Sequence, residues 1–440
     1  MIYFKRKLYD KMLKWKTERN GATALLIQGA RRIGKSTLVQ KFAETEYKTY
    51  ILVDFSVCTR EIFNLFEDIS NLNFIFMKLQ LHYNVKLIER QSVIIFDEVQ
   101  KQPLARQAIK HLVKDGRYDY IETGSLLSVH KSSVDILIPS EETRIDMFPM
   151  DYEEFRWALG DTATVPLLKE VFDKKIPLGN GTHRKLMRDF RLYMLVGGMP
   201  QAVAELIKTN NLSAVDMTKR DILSLYQEDL KKIDDSGLAA TLFKLIPSQL
   251  SRNGARFMAP TGNTDATNLI VKELEDSMTV NVAYHANDPN VALALTKNIE
   301  RFKMYTADTG LFVTLAFMDK DFTDNIIYEK LLADKLSANL GYLYENVVAQ
   351  MLRATGKQLY YHIIPYADGK KYYETDLLIA DMHKVSPIEV KSSGYHTHAS
   401  LDAFRGKFSA RIANSYVIYT KDYHCDGNVT FLPVYMTMFI

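Results

Sequence analysis

A glycine-rich loop with a lysine and a serine lies near the start of the chain. In LLIQGARRIGKST (25–37), Gly29, Gly34, Lys35 and Ser36 follow the spacing G-x4-G-K-S. Glycines at this spacing let backbone N–H groups wrap around phosphates. The lysine can reach the β- and γ-phosphates, and the serine hydroxyl can ligate Mg²⁺. An apolar run precedes the loop and a helical pattern follows it, so the phosphates would lie at a helix N-terminus. The pattern predicts a nucleotide site with Mg²⁺.

Two acids end a second apolar run and complete this chemistry. In SVIIFDE (92–98), Asp97 falls at the carboxyl end of a strand beside the loop, where it can hold the Mg²⁺ shell together with Ser36. Glu98 is placed to polarise the attacking water. Lys35 and Glu98 are the predicted catalytic residues. The predicted nucleotide ligands are Gly29, Ala30, Arg31, Arg32, Ile33, Gly34, Lys35, Ser36 and Thr37.

A third strand-like run, YIETGS (120–125), ends in small polar residues. If this strand lies between the two nucleotide-binding strands, Thr123 or Ser125 could touch the γ-phosphate or the water. The alternative is an ordinary polar turn after a strand. The guanine-recognition pattern Asn-Lys-x-Asp does not occur in the sequence. ATP is therefore preferred over GTP.

Charged residues near the C-terminus suggest a second site. Metal-dependent nucleases with a restriction-endonuclease-like core use an Asp on one strand and Glu-x-Lys on the next, with an apolar x. Asp376 precedes Glu389 by thirteen residues, and Val390 is the apolar x before Lys391. Glu345, on an upstream helical stretch, could add another acid. The catalytic residues of this site would be Asp376, Glu389 and Lys391, and its metal ligands Glu345, Asp376 and Glu389. The alternative is an exposed charged pair on a half-buried strand.

The elements that must position these residues change in type along the chain. Over residues 1–145, short apolar runs alternate with helical stretches, which predicts a doubly wound α/β sheet. Helical periodicity dominates residues 150–250. A helix at 266–277 followed by a strand-like run at 278–288 suits a winged-helix module. A helix at 335–356 and four strand-like runs complete the chain.

Composition sets wide limits on function. The chain has 440 residues, 47% hydrophobic and 25% charged, so it can hold several packed domains. Its net charge of +3 neither requires nor excludes nucleic acid. Two cysteines are too few for a disulfide framework or a four-cysteine zinc site. The N-terminus lacks a signal-peptide pattern, and no apolar run approaches the roughly 18 residues of a membrane span. A cytoplasmic protein without membrane association is expected.

The N-terminal twenty residues are locally basic, with seven Lys or Arg and two acids. Lys5, Arg6, Lys7, Lys11 and Lys14 could contact nucleic-acid phosphates. The alternative is the solvated face of an amphipathic helix. The helix of the winged-helix candidate carries several acids, which disfavours direct reading of DNA and leaves a protein partner as the alternative.

Six motifs in order along the chain resemble bacterial and archaeal AAA-type ATPases that pair a P-loop domain with a C-terminal domain of unknown function, often described as restriction-endonuclease-like. They are GARRIGKSTL, FDEVQ, ETGS, TRIDMFPMDYEEF (143–155), LVGGMP (195–200) and LYENVVAQML (343–352). The resemblance implies ATP binding and hydrolysis, and a winged-helix segment before the tail. The match carries over Gly34, Lys35 and Ser36 as nucleotide ligands, Asp97 as the metal-side acid and Glu98 as the water activator.

Two interpretations are open for each of three arginines. Arg144 lies where such ATPases can keep a γ-phosphate-sensing arginine, and the alternative is a surface ion pair. Arg31 and Arg32 could lean on phosphates or belong to a solvated loop.

The predicted fold is an α/β P-loop NTPase of the additional-strand type, followed by helical and winged-helix segments and a small α/β nuclease-like domain. The predicted boundaries are 1–150 for the P-loop ATPase domain, 151–235 for the helical domain, 236–325 for the winged-helix-like domain and 326–440 for the restriction-endonuclease-like domain. The leading hypothesis is Mg²⁺-dependent hydrolysis of ATP to ADP and phosphate, coupled to movement of the C-terminal domains. The alternatives are an ATP-gated nuclease and an ATP-bound switch that binds protein or DNA.

Overall fold

The chain divides into two compact units, each with its own sheet. Unit 1 comprises Met1–Phe148 with Asp276–Met278, and unit 2 comprises Pro149–Glu275 and Thr279–Ile440. The computed structural model describes residues 2–125, 139–251, 257, 264–318, 328, 332–333, 341–366, 371–392 and 398–440.

Five parallel strands form the sheet of unit 1. They are β1 (Ala24–Gln28), β2 (Thr49–Asp54), β3 (Ser92–Asp97), β4 (Asp119–Gly124) and β5 (Glu142–Asp146). Their order is β2-β3-β4-β1-β5. The first four coincide with apolar runs that predicted strands, and β1, β3 and β4 are buried throughout. The fifth was not predicted, because its sequence ETRID is mostly polar and only partly buried.

Helices cover this sheet through their apolar faces. They are α1 (Leu8–Arg19), α2 (Lys35–Glu46), α3 (Arg60–Phe63), α4 (Leu72–Tyr83) and α5 (Pro103–Asp115). On α2, Leu38 and Phe42 are buried one turn apart, and Ile109 and Leu112 are buried on α5. Burying such side chains contributes about 1.5–3 kcal/mol each relative to exposure.

The position of β4 decides where the chemistry of unit 1 can occur. This strand lies between β1 and β3, which confirms the additional-strand arrangement. Because the strands are parallel, their carboxyl ends meet at one edge of the sheet. Gln28, Asp97 and Gly124 end β1, β3 and β4, so the phosphate loop and both predicted acids belong to that edge.

Unit 2 begins with helices. They are α6 (Tyr152–Ala158), α7 (Thr164–Lys174), α8 (Asn180–Val196), α9 (Pro200–Thr209), α10 (Leu212–Ile233), α11 (Leu238–Ser251) and α12 (Thr264–Asp276). Asp151 caps α6 through a capping box with Glu154, as its sequence DYEE favours. The helical character expected for residues 150–250 is confirmed.

One eight-stranded sheet organises the rest of unit 2. Its strands are β6 (Val280–Ala286), β7 (Lys297–Thr306), β8 (Leu359–Pro365), β9 (Tyr372–Asp381), β10 (Lys384–Val390), β11 (Ser415–Tyr419), β12 (His424–Asp426) and β13 (Val429–Pro433). Their order is β12-β13-β11-β10-β9-β8-β6-β7. The helices in this region are α13 (Thr309–Ala316), α14 (Gly341–Ala354) and α15 (Ala399–Phe408). Residues 335–340 of the helix predicted at 335–356 lie outside the described residues.

A separate winged-helix module and a separate nuclease-like fold are not confirmed. The hairpin β6–β7 was assigned to the segment 236–325, and β8 to the segment 326–440. In the structure, β6 pairs with β8 in parallel, with Ala283 opposite Leu359. The backbone hydrogen bonds of the hairpin edge are thus satisfied by a strand from across the predicted boundary, and one sheet contains both segments. Hydrophobic periodicity could not reveal this pairing, because it does not encode strand partners.

Two side chains of the motif LYENVVAQML form buried hydrogen bonds to other elements of unit 2. On α14, the Asn346 side chain accepts a hydrogen bond from the backbone N–H of Thr306 at 2.9 Å. Gln350 accepts from the backbone N–H of Thr309 at 2.8 Å and donates to the hydroxyl of Tyr193 at 3.0 Å. These buried amides satisfy backbone groups where β7 leads into α13. The motif therefore has a structural reason independent of catalysis.

Among the residues that the structure describes, no helix is both long and apolar enough to cross a membrane.

Candidate functional site

The predicted phosphate loop connects the end of β1 to the start of α2. Gly34 precedes the first helical residue, Lys35, with φ of 93°, a left-handed conformation that favours glycine. At Gly29 the backbone passes so close to Met147 that a Cβ atom would lie 2.4 Å from the Met147 carbonyl oxygen. Both glycines of the motif are therefore required by the path of the backbone.

The other loop residues divide by exposure. Ala30 and Ile33 are buried and hold the loop against unit 1, whereas Arg31 and Arg32 are exposed. Thr37 is half-buried in the first turn of α2.

Lys35 is buried inside the loop. Its ammonium donates hydrogen bonds to the carbonyl oxygens of Gly29 and Ala30, at 2.9 and 2.8 Å. Burial lowers the pKa of Lys35 to about 8, although the nearby carboxylates of Glu98 and Asp97 oppose that shift. The side chain remains mostly charged at neutral pH. The helix N-terminus and this cation make the loop a site for anionic groups.

The loop and the end of β3 are joined by hydrogen bonds on Asp97. The Ser36 hydroxyl donates to Oδ1 of Asp97 at 2.9 Å, and the Thr123 hydroxyl donates to the same oxygen. Burial raises the pKa of Asp97, and the two hydroxyl donors oppose the rise. Of the two small residues considered at the end of β4, Thr123 contacts Asp97 of the predicted site.

Glu98 follows Asp97 in a left-handed conformation, with φ of 55°. Its backbone N–H donates to the Thr123 hydroxyl at 3.4 Å. Its carboxylate accepts a hydrogen bond from the side-chain amide of Gln100. This left-handed backbone conformation is uncommon for residues other than glycine. Sequence reasoning missed Gln100, which has no motif signal beyond its place in FDEVQ.

Ser36 and Asp97 fit Mg²⁺ in the manner of a nucleotide site. They offer a hydroxyl and a carboxylate 2.9 Å apart, and Mg²⁺ in such sites takes one or two protein oxygens together with phosphate oxygens and water. A bound Mg²⁺ would offset negative charge on the phosphates. Within the described parts of the chain, no three or more His, Cys, Asp or Glu side chains form a group that could hold a metal ion by themselves.

Arg6 is a functional candidate that sequence reasoning assigned to a different role. It was predicted as a possible nucleic-acid contact, but its side chain is only 6% exposed. Its guanidinium donates to the carbonyl oxygen of Ile33 at 2.9 Å and to that of Phe148 at 2.6 Å. Arg6 therefore links the phosphate loop to the last residue of unit 1.

Of the other basic residues considered there, Lys11 and Lys14 lie on α1, whereas Lys5 and Lys7 precede it. Leu8, Met12 and Trp15 of α1 are buried at helical spacing. Lys11 and Lys14 point to solvent on the opposite side. The structure thus accounts for the charge pattern by the helix's exposed face.

Arg144 lies in the ion pair that was the alternative to a γ-phosphate contact. Its Nε is 2.6 Å from Oε1 of Glu142, and the buried Arg106 contacts both oxygens of Glu142 at 3.3 Å. Nearby, Glu122 is fully buried on β4. Burial, with Glu142 adding to the effect, raises the pKa of Glu122 well above its usual range. Glu122 on β4 and Arg144 on β5 lie on either side of Leu26 of β1, so these charges belong to the sheet of unit 1.

The charged residues predicted near the C-terminus do meet in unit 2. Asp376 on β9 accepts a hydrogen bond from the backbone N–H of Val390 at 2.7 Å. Glu389 on β10 is 4% exposed, so the alternative of an exposed pair is wrong for this residue. Lys391 donates to Oε1 of Glu389 at 2.6 Å.

Three residues that sequence reasoning did not select join this group. Lys303 on β7 is 5% exposed and donates to Oε1 of Glu345 at 3.0 Å. It also forms an ion pair with Glu374 of β9. Tyr305 donates to the same oxygen of Glu345 at 2.6 Å. The sequence offered one signal for Lys303, a lysine within the alternating strand pattern RFKMYT. The structure shows that β7 buries this lysine.

Comparison with protein families assigns three segments of the chain. Residues 22–156 match an AAA domain. Residues 187–321 match a domain of unknown function (DUF8612), and residues 340–436 match another (DUF4143). No curated protein matches the chain. The segment that matches the AAA domain includes both the phosphate loop and the end of β3.

Three solved structures are similar over parts of the chain. The Walker-type ATPase PABY2304 of Pyrococcus abyssi is 17% identical, with a TM-score of 0.42, and the match covers 71% of this chain and 96% of that one. The RuvB Holliday junction branch migration motor of Thermotoga maritima is 13% identical, with a TM-score of 0.29, covering 63% and 89%. PCH-2 of C. elegans is 11% identical, with a TM-score of 0.27, covering 48% and 65%. None of these likenesses transfers an activity to this chain.

Proposed function

We propose that the chain binds ATP with Mg²⁺ in unit 1 and hydrolyses it to ADP and phosphate. The observation that carries this proposal is the hydrogen bond between Ser36 and Asp97. It brings the end of the phosphate loop and the end of β3 together at the same edge of the sheet, as phosphoryl-transfer chemistry requires.

Each residue of the site has a distinct task in this proposal. Lys35 pairs with the β- and γ-phosphates, exchanging its two loop carbonyl partners for phosphate oxygens. Ser36 and Asp97 hold the Mg²⁺ shell. Glu98 accepts a hydrogen bond from the attacking water and orients it toward the γ-phosphate. Thr123, between Asp97 and the backbone of Glu98, positions both acids.

The direct test of this function is equilibrium binding of nucleotides to the purified chain. A slowly hydrolysed ATP analogue is expected to bind with one-to-one stoichiometry, and Mg²⁺ to tighten binding. The absence of saturable binding with and without Mg²⁺ would contradict the proposal. GTP serves as the comparison, because the chain lacks the guanine-recognition pattern.

We further propose that the phosphate loop influences Met147 and Phe148, the last residues before the chain enters unit 2. Arg6 connects the carbonyl of Ile33 in the loop to that of Phe148. The backbone at Gly29 packs on Met147, whose N–H donates to the carbonyl of Gln28 at 2.7 Å. A ligand that reshapes the loop must act on these contacts. Coupling of nucleotide state to movement in unit 2 would begin here.

Replacing Arg6 with glutamine is expected to weaken this coupling. The variant loses one or both carbonyl contacts, and a buried carbonyl left without a donor costs about 1–3 kcal/mol. Amide hydrogen exchange at Met147 and Phe148 should respond to ATP in the wild type and respond less in Arg6→Gln. Lys11→Gln, on the exposed face of α1, is the matched control and should behave as wild type. An unchanged response in folded Arg6→Gln that still binds ATP would contradict the coupling role.

A further inference from the structure

The C-terminal charged group has an unusual composition for a metal site. We call it the Lys303 cluster, comprising Lys303, Tyr305, Glu345, Glu374, Asp376, Glu389 and Lys391. The family resemblance of the tail leads one to expect a divalent cation among its acids. The structure instead provides four carboxyl groups together with two ammonium groups of the chain itself.

Lys303 occupies the interior of this cluster. Its ammonium bonds to Glu345 on α14 and to Glu374 on β9, and it lies 5.3 Å from the ring centre of Tyr361. These two ion pairs set the positive charge of Lys303 directly against both carboxylates. The lysine joins carboxylates from separate elements, which is the task that a bound metal ion would perform.

The remaining acids are also engaged by the chain. Asp376 accepts from the backbone N–H of Val390, and Lys391 donates to Glu389. One oxygen of Glu374, which pairs with Lys303, and one oxygen of Glu389, which pairs with Lys391, are buried without a hydrogen-bond donor. With a neutral residue in place of Lys303, the carboxylate oxygens of the cluster would no longer face a lysine charge that repels a metal ion.

We propose that Lys303 is the built-in counter-ion of this cluster and takes the place of a divalent cation among Glu345, Glu374 and Asp376. With the lysine present, the cluster serves to hold α14, β7 and β9 together and binds no divalent metal. An ammonium and a divalent ion of like charge cannot share these carboxylates at close range, because repulsion is strong where water is excluded. This inference does not depend on the proposed ATPase function.

As they stand in the described part of the chain, these acids form no group that could hold a metal ion. The proposal predicts that they gain metal binding when the lysine is lost. Lys303→Met keeps an unbranched side chain but removes the charge. Titration with Tb³⁺ in the absence of nucleotide reports occupancy, because Tyr305, 2.6 Å from Glu345, can sensitise its luminescence. Lys303→Met should gain one saturable site that the wild type lacks. Mn²⁺ or Ca²⁺ should compete for that site and raise the melting temperature of the variant.

Two controls separate this result from a general change in charge. Lys303→Arg keeps the cation and should bind as weakly as the wild type. Adding Asp376→Asn to Lys303→Met should remove the gained site. Folding of each variant is checked by circular dichroism.

Wild-type binding alone can overturn the proposal. Saturable Tb³⁺ or Mn²⁺ binding to the wild type that Asp376→Asn abolishes would show that the lysine does not exclude the metal. A folded Lys303→Met that gains no site would equally contradict it. Because neither measurement uses ATP, failure here is distinguishable from failure of the ATPase proposal.

Discussion

Replacing Lys35 with alanine should reduce ATP affinity by about 100-fold or more. The substitution removes the buried ammonium that pairs with the β- and γ-phosphates, and charge-assisted hydrogen bonds to a buried cation contribute about 1.5–3 kcal/mol each. Loss of two such contacts corresponds to the stated change at 1.4 kcal/mol per tenfold. Isothermal titration with a slowly hydrolysed ATP analogue and Mg²⁺ measures the effect.

A matched control for this substitution lies on the same helix. Lys41 is exposed and forms an ion pair with Glu44 at 3.9 Å, so Lys41→Ala removes an equal charge away from the loop. It should bind ATP as the wild type does. Tight binding by folded Lys35→Ala protein would mean that the phosphates bind elsewhere.

Glu98→Gln should separate binding from turnover. The amide is nearly isosteric with the carboxylate and leaves Lys35, Ser36 and Asp97 unchanged, so ATP should still bind. It cannot act as the anionic acceptor for the attacking water, and loss of such a residue typically costs about 10²–10⁴-fold in rate. Single-turnover hydrolysis of radiolabelled ATP measures the chemical step directly.

The control for this second variant is Glu89→Gln, which changes an exposed acid of unit 1. Its turnover should match that of the wild type. If Glu98→Gln hydrolysed ATP at the wild-type rate, another residue would have to activate the water. If it lost ATP binding together with turnover, Glu98 would have a role in ground-state binding.

Much of unit 1 could be predicted because its signals are local. The strand β3 is an uninterrupted apolar run that ends at Asp97, and the loop between β1 and α2 carries a fixed spacing of glycines and lysine. A buried parallel strand and a helix N-terminus both leave such marks in a short stretch of sequence. Thr123 was considered only on the condition that its strand lies between the other two, and β4 does lie between β1 and β3.

Two residues whose positions sequence reasoning did not predict depend on long-range contacts. Arg6 lies 142 residues from Phe148 along the chain, and only the folded backbone brings its guanidinium to that carbonyl. Lys303 is 42 residues from Glu345 and comes from a hairpin that was expected to belong to another module. Periodicity reports which face of a strand is buried, but it does not report which strand lies beside it.

For the charged group near the C-terminus, the sequence predicted some of the neighbouring residues but not all of them. The spacing of Asp376, Glu389 and Lys391 correctly placed these residues near one another, since adjacent antiparallel strands bring them together. The spacing could not reveal the buried lysine from β7. Its charge is decisive for whether the acids are available to a metal ion.

The most direct test of the central claim is continuous measurement of phosphate release by the purified wild-type chain with ATP and Mg²⁺. The account predicts release over many turnovers, stopped by EDTA and reduced about 100-fold or more in Glu98→Gln. Stoichiometric ATP binding without release would contradict hydrolysis and favour an ATP-bound switch. Release that continues unchanged in Glu98→Gln would contradict the assignment of the site.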